Sequence, residues 1–217
     1  MQIVIGRASF RRVVLLFLLS LLCAQPGLAD AVGLDEGIAA VEQGDYAKAA
    51  EIFRPLAEAG DAEAQYNLAI LYRSGHGVEK DLEKSRQWLL QAAKQGIAAA
   101  QYHLGYMYDT GEGAEQNDNY AFLWYRKAAE QGHPKAQTNL GVLYANGSGV
   151  AQDLKLAYVW FNLAAAQGYA PAFQNRELLA EEFTEAERES LRSLSRDYFQ
   201  KYVMPFQNQG MMRRPRH

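Results

Sequence analysis

The amino-acid sequence predicts an all-α solenoid of stacked antiparallel helix pairs. Three observations carry that prediction: self-similarity at a fixed interval of 36 residues, two apolar stripes of helical period in every interval, and helix start and stop residues that recur in step with them. Slid against itself by 36, the chain yields the units 61–96, 97–132 and 133–168, in which eleven columns hold one residue type throughout. Chance at ordinary residue frequencies would give on the order of 0.2 such columns. Composition agrees: with 49% hydrophobic residues and 22 Lys+Arg against 25 Asp+Glu, the chain can bury a core and lacks the charge for non-specific nucleic-acid binding.

Residues 1–29 read as an export signal. Arg7, Arg11 and Arg12 precede an apolar run from Val13 to Leu22, and Gly27-Leu28-Ala29 places small residues where a signal peptidase cleaves, so cleavage is expected after Ala29. The run falls short of the ~20 residues that span a bilayer, which makes an uncleaved membrane anchor the weaker alternative. Leu22 before Cys23, the chain's one cysteine, does not suit lipid attachment, and a lone cysteine excludes an internal disulfide and any cysteine metal cluster. The processed chain holds 19 basic and 25 acidic residues, a net charge of −6, and its expected location is the periplasm.

Residues 30–60 follow as a first helix pair with a short link, Gln43-Gly44-Asp45-Tyr46, and with Ala49, Phe53 and Leu56 on one stripe. Pro55 should bend or shorten its second helix, because proline removes a helical hydrogen bond. In each of the three long units the first helix carries Ala64, Leu68, Leu71 and Tyr72 or their counterparts, and the second carries Ser85, Trp88, Leu89, Ala92 and Ala93 or theirs. A Gly-x-Gly loop separates them. Asp81, Asn117 and Asp153 share the N-cap column of the second helix, and Gly60, Gly96, Gly132 and Gly168 close the units. Residues 169–203 read as terminal capping helices: a further first helix from Pro171 to Ala180, then a charged helix opened by the capping box Thr184-Glu185-Ala186-Glu187. Residues 204–217, which include Arg213, Arg214 and Arg216, read as a disordered basic tail.

The pattern Ala100-x-x-x-Leu104-Gly105-x-x-Tyr108-x-x-Gly111-x-Gly113, followed by Trp124, Ala128-Ala129 and Gln131-Gly132, resembles the Sel1-like repeats. Ala69 stands where the other units have Gly105 and Gly141, and the short first link looks more like a tetratricopeptide repeat. The resemblance covers roughly 34–180 and implies a right-handed α-solenoid that works as an adaptor between proteins. Family members linked to β-lactam chemistry resemble a subgroup with a cysteine pair in each repeat, and this chain lacks those cysteines.

The candidate site follows from that architecture. First helices of such a solenoid line the concave side, so their residues off the core phase form the expected groove: Tyr66, Asn67, Ile70 and Arg73, then Tyr102, His103, Tyr106 and Asp109, then Thr138, Asn139 and Val142. Exposed tyrosines beside charge suit a protein partner, with Arg73 and Asp109 orienting it. No catalytic residue, metal ligand or cofactor is expected. The histidines form no i, i+4 metal pair, His76 sits in a loop slot also filled by Glu112 and Ser148, and neither a G-x-S-x-G elbow nor a phosphate loop occurs. Two alternatives stay open: a cell-envelope hydrolase, disfavoured by the missing motif, and capture of an anionic lipid or polymer by the basic tail.

Overall fold

The computed structural model describes residues 26–207, all of whose regular elements are helices. The helices are α1 (Pro26–Glu42), α2 (Tyr46–Glu58), α3 (Ala62–Ser74), α4 (Leu82–Lys94), α5 (Ala98–Thr110), α6 (Asp118–Ala129), α7 (Pro134–Asn146), α8 (Leu154–Ala166), α9 (Ala170–Ala180) and α10 (Glu185–Tyr202). Most of the expected export segment and the tail beyond Gln207 lie outside the described residues, and the expected cleavage point after Ala29 falls in the first turn of α1. No described helix is long and apolar enough to cross a membrane.

Local chemistry sets the helix ends. Asp81, Asn117 and Asp153 each accept a hydrogen bond from the backbone N–H three residues on, which satisfies one of the free donors at the start of α4, α6 and α8. At the other end of each first helix, Gly75, Gly111 and Gly147 adopt left-handed backbone, with φ near 75°, where a side chain would be strained. The Asp81, Asn117 and Asp153 amides then close the loops onto the carbonyls of Tyr72, Tyr108 and Tyr144, at 2.8 to 2.9 Å. The second loop glycine packs against the preceding unit: a Cβ on Gly77 would meet the Tyr46 backbone, and one on Gly149 the Asp118 backbone. Loop and stacking are therefore one feature.

Two elements depart from the sequence reading. Pro55 does not shorten α2, which continues to Glu58; Pro55 lies near its end and costs only one donor, while its own carbonyl accepts from Ala59. Residues 204–207 are not an irregular tail but a helical turn, with Phe206 and Gln207 donating to the Val203 carbonyl and Val203 fully buried.

Two repeated contacts hold the stack. Where a second helix carries a large ring, the first helix opposite carries glycine: Gly37 faces Phe53, Gly105 faces Tyr125 and Gly141 faces Phe161. In the unit where that ring is replaced by Leu89, the facing residue is Ala69, so the one exception in the column is matched by its partner. Buried glutamines join the units. Gln65, Gln101 and Gln137 donate to the carbonyls of Ala57, Ala93 and Ala129, and each accepts from the side chain of Gln95, Gln131 or Gln167 at 2.7 to 2.9 Å. One column further, Phe173 takes the glutamine's place and is exposed, so the series ends at α9. Beside it α10 covers α8, with Tyr198 and Tyr202 against the buried Trp160 at ring separations of 5.6 and 5.5 Å. Trp88, which has no such cover, is only partly buried.

Candidate functional site

The face formed by the first helices presents three successive stations, each lying between one first helix and the next. They occupy equivalent columns and differ in chemistry.

The station between α3 and α5 is closed by its own charges. Arg73 donates through Nη2 to Glu112 Oε2 at 2.8 Å and through Nε to Glu112 Oε1 at 3.4 Å. Its Nη1 lies 2.8 Å from His103 Nδ1, and its guanidinium covers the Tyr106 ring at 5.1 Å. Arginine can only donate, so His103 Nδ1 accepts and the imidazole proton sits on Nε2. Burial first, and then the neighbouring Arg73, His133 and Lys135 charges, hold the His103 pKa down to about 4. Tyr66 stacks on His103 at 6.0 Å, and burial raises its phenol. Asn67 and Ile70 are partly buried at the edge of this station.

The station between α5 and α7 is centred on a carboxylate. Tyr125 donates its phenol hydrogen to Asp109 Oδ2 at 3.1 Å, with the Asn139 side chain beside the same phenol. Burial raises the Asp109 carboxyl, with the Tyr125 bond pulling the other way, and burial also raises the Tyr125 phenol. Tyr102 forms the wall, stacked on His133 at 4.8 Å and against Tyr125 at 5.9 Å. His133 Nδ1 accepts from the Ala136 amide and so caps α7, a role that only the neutral ring can fill; burial and Lys135 keep its pKa at about 4.

The station between α7 and α9 is apolar and open. A cleft of about 310 Å³ lies among Val142, Ala145, Phe161, Leu178 and Leu179, with Glu182 on its rim. Leu178 is 70% exposed and the nearby Phe173 52%.

The structure thus gathers Tyr66, Arg73, His103, Tyr102, Tyr106, Asp109 and Asn139 along one face, and Val142 at the start of the cleft. Thr138 departs from the expectation: it is buried, with its hydroxyl donating to the Pro134 carbonyl at 2.9 Å, and it presents nothing to a partner. Arg73 departs too, since Glu112 and His103 occupy its guanidinium and leave it no free role in orienting a ligand. Glu112, Tyr125 and His133 went unpredicted as site residues. The Arg73–Glu112 spacing of one repeat plus three residues was the available signal, an i, i+3 helical neighbour carried over to the next unit. The variable loop slot of His76, Glu112 and Ser148 supplies Glu112 to the station between α3 and α5, and in the first unit it holds His76 stacked on Tyr46 at 4.6 Å. The one sequence signal for the cleft was that Leu178 continues the column of Ile70, Tyr106 and Val142 into α9. Among the described residues, no group of three His, Cys, Asp or Glu is placed to hold a metal ion.

Comparison with known proteins bears on the architecture. A Sel1 repeat protein from Oxalobacter formigenes superposes with a TM-score of 0.65 at 36% identity, over 68% of this chain and 61% of that one. A protective antigen present in uropathogenic Escherichia coli strains, displaying an SLR fold, gives a TM-score of 0.59 at 28% identity over 87% of this chain and 49% of that one. The chain therefore spans less than two thirds of either structure. No curated protein matches it. The Sel1 repeat profile matches residues 28–61, 62–97, 98–133 and 134–169, so the leading pair with its short link is counted among the repeats. Sel1 repeat proteins generally mediate interactions between proteins. With most of its length in four such repeats, stacked as an α-solenoid through matched ring–glycine and glutamine contacts, this chain belongs to the Sel1 repeat family.

Proposed function

We propose that this protein is a non-enzymatic interaction scaffold, exported to the periplasm, that takes a segment of another envelope or signalling protein along its first-helix face. The observation that carries the reading is the row of three equivalent stations, of which the second and third present open chemistry: a carboxylate that no Lys or Arg pairs among the described residues, and an apolar cleft. A single extended segment crossing α5, α7 and α9 meets both. Family membership supports the class of function, and the apolar run Val13–Leu22, preceded by Arg7, Arg11 and Arg12 and followed by the small residues up to Ala29, supports export. The proposed groove keeps Tyr66, Asn67, Ile70, Tyr102, Tyr106, Asp109, Asn139 and Val142 and adds Leu178. Residues 169–203 serve as its terminal cap.

Site-specific photocrosslinking tests this directly. A photoreactive residue at Val142 or Leu178 is expected to capture a defined envelope protein that the same group at Lys127, exposed on a second helix, does not, and Tyr106→Ala is expected to reduce the capture. Equal capture from Lys127, or capture indifferent to Tyr106→Ala in a chain of unchanged helicity, would place the binding surface elsewhere.

A further inference from the structure

The scaffold reading leaves the chemistry of the partner open, and the charges along the face bear on it. Arg73, the one arginine lining the first two stations, is spent on Glu112 and His103, and both Glu112 oxygens are spent on Arg73. Asp109 differs. Its one side-chain hydrogen bond comes from a neutral phenol, and among the described residues no Lys or Arg forms an ion pair with it. It is half-buried between the Tyr102 and Tyr106 side of α5 and the Asn139 side of α7, where a charge interacts more strongly than in bulk water. Lys135, whose charge acts on His133, lies in the first turn of α7, whereas Asp109 lies in the last turn of α5. One repeat further along, Ala145 replaces the carboxylate in the same column, and Phe161 floors the apolar cleft. Glu182 adds a second negative charge at that rim.

We propose that the segment recognised by this face carries a basic residue and, about one repeat step away along its chain, a large apolar residue, the first seated on Asp109 and the second in the cleft between α7 and α9. This rests on the scaffold reading and narrows it. Neighbouring packed helices lie about 10 Å apart, and an extended chain advances about 3.3 Å per residue, so the two anchors are about three to four positions apart. The tyrosines suit the first anchor, because the stem of an arginine or lysine covers aromatic carbon while its cation meets the carboxylate. An acidic segment would instead meet Asp109 and Glu182 with like charge.

Fluorescence anisotropy with labelled Gly/Ser peptides decides it. Peptides bearing one arginine and one phenylalanine about four positions apart are made in both orders, and the tighter of the two is expected to bind about tenfold tighter than the same peptide with glutamate for arginine, or with alanine for phenylalanine. Asp109→Asn keeps an acceptor for Tyr125 and is expected to erase the arginine preference while sparing the phenylalanine preference. Leu178→Ala, at an exposed position, is expected to do the reverse. A glutamate peptide that binds as well as the arginine peptide, or an arginine preference that survives Asp109→Asn, overturns the proposal. If crosslinking at Val142 and Leu178 still captures a partner, that failure leaves the scaffold reading standing; if capture also fails, both are wrong.

Discussion

At the scale of single residues, the two buried histidines make the fold sensitive to acid. His103 and His133 titrate near pH 4 in the folded protein, against an ordinary value of 6.5. Between those values the unfolded chain binds protons that the folded chain refuses, so folded-state stability is full above pH 6.5 and falls as the pH drops towards 4. Each histidine accounts for at most about 3 kcal/mol of that loss. The melting temperature is expected to decline steeply through this window, and His133→Asp is expected to make the decline shallower. Asp61 already fills the equivalent cap of α3, accepting from the Ala64 amide at 2.6 Å, so an aspartate side chain can make the capping bond at this position. A decline of equal steepness in that variant would show that capping by His133 is not what the acid disrupts. The sequence does not mark these imidazoles as neutral, because Arg73 against His103 and Tyr102 against His133 are brought in from the preceding unit.

At the scale of the helix, the ring–glycine match governs how closely the two helices of a unit approach. A Cβ on Gly141 would lie 2.6 Å from the Phe161 ring, and one on Gly105 2.5 Å from the Tyr125 ring. Gly141→Ala is expected to destabilise the protein by about 1 to 3 kcal/mol, read as a lowered urea midpoint, although alanine is the better helix former. Adding Phe161→Leu to Gly141→Ala recreates the Ala69 and Leu89 pairing of the first unit and is expected to recover part of the loss; simple additivity of the two changes would refute the coupling. Element boundaries were largely legible in the sequence, because caps such as Asp81 and Gly75 act within a few residues and leave a local signature. Contacts between units were not. The invariant glutamines were visible as columns, but the bond from Gln101 to the Ala93 carbonyl depends on how one pair stacks upon the next. Thr138 shows the same limit from the other side: its place on a polar stripe suggested exposure, while its hydroxyl serves its own helix.

At the scale of the whole molecule, chemistry changes along an otherwise periodic face. The first station is internally neutralised, the second carries an uncompensated carboxylate and the third is apolar, so a repeating scaffold presents a directional surface. That gradation was half legible: the tyrosines, Asp109 and Val142 stood out from the sequence, whereas the neutralisation of Arg73 and the cleft under Leu178 needed the stack. The run of buried glutamines has a consequence for how such a chain can be edited. Each internal junction uses the same plug and socket, so an extra copy of residues 97–132 spliced in after Gly132 meets complementary ends on both sides. Appended after Gly168 in front of α9, the same copy would also find its socket; placed beyond α9 it would follow a first helix whose glutamine place is held by Phe173, and would meet no second-helix carbonyl of the kind offered by Ala57, Ala93 and Ala129. Small-angle scattering is expected to report a longer particle of undiminished order for the internal splice and a loosely attached extra unit for the distal one. Phe173 thus acts as punctuation, ending a message that the repeats themselves could continue indefinitely.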